Sequence, residues 1–78
     1  MEMITVDAMG DSCPIPVVKT KNAIRDLDGR EAVIQVLVDN EIAVQNLTKM
    51  ARMKEYPVTS RMLDENQYSV EMEIHSRG

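Results

Sequence analysis

The segment Ala32-Val33-Ile34-Gln35-Val36-Leu37-Val38 is rich in β-branched residues and apolar at every position but Gln35. Branched side chains lose rotamer freedom in a helix and fit the pleated surface of a sheet. A run with so little polar alternation belongs to a central strand covered on at least one face. The rest of the chain must therefore supply flanking strands and a covering layer.

The flanking segments carry those patterns. Met3 to Asp7 is short, places Ile4 and Val6 on one face, and reads as a strand, with Gly10 ending the turn that follows. From Pro14 to Leu27 the positions Val17, Thr20, Ile24 and Leu27 keep helical spacing, and Asp28-Gly29 closes that helix. Asp39-Asn40 supplies an N-cap for a second helix, Glu41 to Lys54, whose inward stripe and fringe are Ala43, Leu47, Met50, Ala51 and Lys54. After Tyr56-Pro57 the period changes to two. Val58, Ser60 and Met62, then Tyr68, Val70, Met72 and Ile74, describe a hairpin with one buried face, turning at Asp64-Glu65-Asn66.

The order βαβαββ predicts an α/β (α+β) two-layer sandwich: a four-stranded mixed sheet with both helices on one face, in a single domain spanning residues 1–78. A right-handed crossover sets the first loop at the carboxyl edge of the first strand, where open α/β sheets gather their chemistry.

That loop contains the chain's only cysteine, in Gly10-Asp11-Ser12-Cys13-Pro14-Ile15-Pro16. Proline at the first helical position has φ already set and lacks an N–H that would have had no partner, so Pro14 reads as the first helical residue and Cys13 as the N-cap. Pro14 and Pro16 remove two of the orphan amides at this helix mouth, which leaves the Ile15 N–H as the donor expected to meet the sulfur. That bond and the positive end of the helix dipole lower a thiol pKa and favour the nucleophilic thiolate. Asp7 and Asp11 oppose this if they approach the sulfur. Lys19, within two turns of the cap, adds a minor positive potential.

A single cysteine makes no internal disulfide and has no C-x-x-C partner, so a transfer partner must come from another molecule. The net charge of −4, the absence of a polybasic run and the presence of only Tyr56 and Tyr68 as aromatics argue against direct nucleic-acid binding. The basic clusters Lys19, Lys21, Arg25 and Lys49, Arg52, Lys54 read first as solvated helix faces. Met1-Glu2-Met3-Ile4 has no basic n-region and no membrane-length apolar run follows, so a cytoplasmic location is expected. Seven methionines, Met9 among them, invite a Cu(I) reading, but one thioether and one thiolate do not make a site, and flexible core filler is the simpler role. His75 has no second ligand at metal-binding spacing. No metal and no cofactor are expected.

The run Val6-Asp7-Ala8-Met9-Gly10-Asp11-Ser12-Cys13-Pro14-Ile15-Pro16-Val17, with the basic helix, the strand ending Val38-Asp39-Asn40 and the closing hairpin, resembles the TusA (SirA-like) family of small sulfur carriers. Leu37-Val38-Asp39-Asn40-Glu41-Ile42-Ala43 and Lys19-Thr20-Lys21 look most like its YedF branch, associated by name with selenium metabolism. Asp39-Asn40-Glu41 stands where the best-known carriers have an acidic residue followed by proline. The resemblance implies that Cys13 bears a persulfide received from a cysteine desulfurase and handed to a thiol-bearing acceptor protein, in a relay such as tRNA thiolation. It implies a sulfurtransferase-like carrier, consumed and regenerated by its partners, rather than an enzyme in the usual sense. The alternative is a non-catalytic RNA- or protein-binding module, or a regulatory one, in which Cys13 is incidental or a switch.

Overall fold

A computed structural model of the chain describes residues 2–10 and 15–74. The elements run β1 (Glu2–Asp7), α1 (Ile15–Asp26), β2 (Ala32–Val38), α2 (Glu41–Met53), β3 (Val58–Asp64) and β4 (Gln67–Ile74). One sheet contains all four strands in the order β1-β2-β4-β3. β1 and β2 are parallel, while β4 runs antiparallel to both β2 and β3. This is the four-stranded mixed sheet with two helices that the sequence pattern predicts.

Register explains the core. Ile4 sits opposite Ile34 and Val6 opposite Val36, while on the other side of β2 Ala32, Ile34, Val36 and Val38 face Ile74, Met72, Val70 and Tyr68. These positions share the face that meets the helices. Leu27 at the end of α1 and Ala43, Leu47, Met50 and Ala51 of α2 bury against it. The other face of β2, with Val33, Gln35 and Leu37, is only half-buried.

Local chemistry sets the ends of the helices. In the first turn of α1, Pro16 is buried and its carbonyl accepts the Thr20 hydroxyl (2.8 Å), so the one polar residue in the apolar stripe is satisfied. Asp28 and Gly29 both take positive φ, 50° and 85°, and end α1 at the turn signal seen in the sequence. α2 begins at Asn40, whose Oδ1 accepts the Ala43 amide (2.8 Å). It ends in a Schellman turn: the Glu55 amide donates to the Arg52 carbonyl (3.0 Å) and the Tyr56 amide to the Ala51 carbonyl (2.9 Å). Glu55 occupies the left-handed position, φ 62°, where glycine is usual. Nothing in the sequence pattern marks it.

Two expectations are corrected. The hairpin does not bury one face throughout: β4 does, but in β3 only Val58 is partly covered, and Met62 is 67 % exposed. β3, like β1, is an edge strand, and α2 leaves a groove beside it instead of closing over it. Lys54, expected at the fringe of the inward stripe, is exposed at the C-cap of α2. The hairpin turn also differs slightly: β3 continues through Asp64 past a bulge after Met62, and the chain reverses at Glu65-Asn66. Among the described residues, no helix is long and apolar enough to cross a membrane.

Candidate functional site at the carboxyl edge of the sheet

β1 and β2 end side by side, and the turn leaving β1 is tied to the residues that follow β2. The Ala8 amide continues the ladder by donating to the Leu37 carbonyl (2.9 Å), and Ala8 is fully buried. The Met9 amide turns back to Asp7 Oδ1 (3.0 Å). The Gly10 amide reaches across to Asp39 Oδ2 (2.9 Å). Asp39 Oδ1 in turn accepts from Asn40 Nδ2 (3.0 Å), and Asn40 Oδ1 caps α2. A continuous line of hydrogen bonds thus links the turn after β1 to the start of α2.

Gly10 stands at φ 81°, in the left-handed region, and a Cβ built there meets no atom of the described residues within 4 Å. The positive φ by itself favours glycine here. Lys19 extends from α1 to the end of β1, where its Nζ donates to the Asp7 carbonyl (3.3 Å). The same lysine thus brings a positive charge to this edge and ties α1 to β1. The Asp7 carboxylate, which the sequence reading set against a thiolate, is engaged by the Met9 amide.

Of the predicted site residues, Gly10, Ile15, Pro16 and Lys19 are described. Gly10 and Lys19 both bond to this strand edge, Ile15 is the exposed first residue of α1, and Pro16 lies buried beneath it. Cys13 and Pro14 lie outside the described residues, as do Asp11 and His75. Asp39 is the participant that sequence reasoning assigned differently. Asp39-Asn40 reads as one capping signal, but a helix has room for one N-cap. Asn40 takes it, and the Asp39 carboxylate is free to clamp the neighbouring turn.

The two basic clusters also turn out to be neighbours. Lys21 of α1, Lys49 of α2 and Lys54 at the C-cap of α2 line one shallow groove, with Val17, Asn46, Met50 and Met53.

Residues 4–74 match the family model described as Sulfurtransferase TusA. A protein of Methanocaldococcus jannaschii named as a candidate sulfur carrier is 32 % identical over 68 residues, which covers 87 % of this chain and 89 % of that protein. A similarly named protein of Halobacterium salinarum is 44 % identical over 43 residues, 55 % of this chain and 52 % of its own length. Among solved structures, a SirA-like protein from Desulfitobacterium hafniense superposes with a TM-score of 0.88 at 41 % identity, covering 94 % of this chain and 99 % of that one.

Proposed function

Since the chain belongs to the TusA family of sulfur carriers, we propose that Cys13 is the atom-bearing residue of the relay, loaded by a cysteine desulfurase and discharged to a thiol-bearing acceptor protein. The observation that carries this reading is the position of the chain's only cysteine, between Gly10 and Ile15 in sequence. The described residues on either side are held: Gly10 by Asp39, and the start of α1 through Lys19 and the Thr20–Pro16 bond.

The chemistry is sulfur exchange without net oxidation. The Cys13 thiolate attacks the terminal sulfur of the donor's persulfide. A new S–S bond forms to Cys13, the donor's S–S bond breaks, and the donor leaves as a thiolate. Delivery repeats the same step with the acceptor thiolate as nucleophile and Cys13 as leaving group. A leaving thiolate is better the more it is stabilised, so the features that favour ionised Cys13 serve both halves of the relay. In this reading Gly10, Pro14, Ile15 and Pro16 shape the helix mouth, with the Ile15 amide as donor to the sulfur, and Lys19 contributes positive potential. A reducing, cytoplasmic setting keeps such a thiol free for exchange. Sulfur or selenium as cargo, and tRNA thiolation as a destination, follow the YedF-like and TusA-like resemblances respectively.

The test is intact-mass analysis after incubation with a cysteine desulfurase and free cysteine. The unaltered chain gains the mass of one sulfur atom, lost on reduction, and Cys13→Ser gains none. An unaltered chain that stays unmodified would overturn the reading.

A further inference from the structure

β3 has one sheet neighbour, β4. The Glu73 amide donates to the Pro57 carbonyl (3.0 Å), one step outside the register pair Val58↔Met72. Bonded and non-bonded positions alternate along an antiparallel pair, so Thr59 and Arg61 also bond toward β4, and the N–H and C=O groups of Val58, Ser60 and Met62 point to the free edge. The side chains of these same three residues lie on the helix side of the sheet, opposite Met72, Val70 and Tyr68.

On that side a groove runs between β3 and α2. It has two stretches, of about 600 Å³ and about 400 Å³, which share Val44, Gln45 and Ser60. Val44, Met53, Met62 and Tyr68 give it an apolar lining, and Met53 is 77 % exposed. Lys49 and Arg52 line the first stretch, and among the described residues neither side chain has a hydrogen-bond or ion-pair partner, while Arg61 and the carboxylate-bearing Glu41 line the second, so the positive charge is concentrated in the first.

An edge with outward-facing backbone groups, an apolar trough beside it and unpartnered cations along the trough is suited to an extended peptide added as a further strand. We propose that this face takes up an extended acidic segment of a partner protein. The segment pairs through its backbone with Val58, Ser60 and Met62, lays apolar side chains against Val44, Met53 and Met62, and sets carboxylates beside Lys49 and Arg52. A second copy of the chain fits less well, because two-fold pairing of β3 with β3 brings two identical cationic rims to one seam. A nucleic acid would meet a few cations on a chain of net charge −4 and leave the outward amides and the methionines unused. The proposal goes beyond the sulfur-carrier reading and does not require Cys13.

The experiment titrates the ¹⁵N-labelled full chain with a seven-residue peptide, the length of β3, that carries both valine and glutamate at its odd positions, which share the groove-facing side, and threonine between them. The same peptide with lysine in place of glutamate and a single-stranded RNA oligonucleotide are the controls. The acidic peptide is expected to bind, to slow hydrogen exchange at the Ser60 and Met62 amides, and to leave the oligomeric state of the chain unchanged. The double variant Lys49→Glu/Arg52→Glu is expected to weaken it about tenfold. Ser60→Pro removes an outward N–H without breaking a bond to β4 and is expected to abolish binding. If Ser60→Pro fails to fold, the charge-reversed variant decides. Cys13→Ser is expected to bind as the unaltered chain does, which separates this interaction from sulfur loading. Absence of binding, equal binding of the lysine peptide, tighter binding of the RNA, or self-association through β3 would each overturn the proposal.

Discussion

Replacing Asp39 with alanine removes the acceptor of the Gly10 amide at 2.9 Å and the partner of Asn40 Nδ2 at 3.0 Å. A hydrogen bond to a charged acceptor contributes about 1.5–3 kcal/mol when buried and less where water can replace it. Asp39 is half-buried and the Gly10 amide is reachable by solvent, so a loss of about 1 kcal/mol is the reasonable figure for the variant. In a domain of this size that is a fall in Tm of about 4–8 °C. Asp39→Asn keeps one oxygen for Gly10 and gives up the charge, so it should fall between the two. Urea unfolding followed by circular dichroism measures the stability, and the rate of sulfur loading by a desulfurase measures the positioning. Asp39→Ala should slow loading while Asp39→Asn largely preserves it. If both variants match the parent in stability and in loading, the Gly10–Asp39 bond does not organise the turn.

Gly10→Ala forces a Cβ into the left-handed region and should cost about 1–2 kcal/mol in the same unfolding assay. Glu55→Gly relieves the left-handed C′ position of α2 and should raise stability by up to about 1 kcal/mol. Leu47 is fully buried between α2 and the sheet, and Leu47→Ala should cost about 2–5 kcal/mol, a large share of the total for a small domain.

The inner strands and the helix that covers them are the easiest to read. β2 and β4 bury the side chains that their apolar positions mark, and α2 buries Ala43, Leu47, Met50 and Ala51, because period and burial agree where a layer actually covers the strand or helix. β3 has the same alternation, yet Ser60 and Met62 stay exposed. Period tells which side chains share a face, while cover depends on a strand's place in the sheet, which is settled by contacts distant in sequence. Glu55 escaped notice for a related reason: its left-handed conformation is imposed by the Schellman bonds around it, with no glycine to announce it. At the candidate site, Gly10 and Pro16 were legible because glycine and proline restrict the backbone locally. The Asp39 clamp and the reach of Lys19 to Asp7 join residues 29 and 12 positions apart, and neither spacing carries a local signal.

The most direct test of the relay is to load the full chain with a desulfurase, alkylate it, digest it, and weigh the peptide that contains Cys13. The account predicts one extra sulfur atom on that peptide, lost when an acceptor protein thiol is added before alkylation and recovered on the acceptor. A Cys13 peptide that never carries the sulfur, or one that holds it with no transfer to any protein thiol, would contradict it.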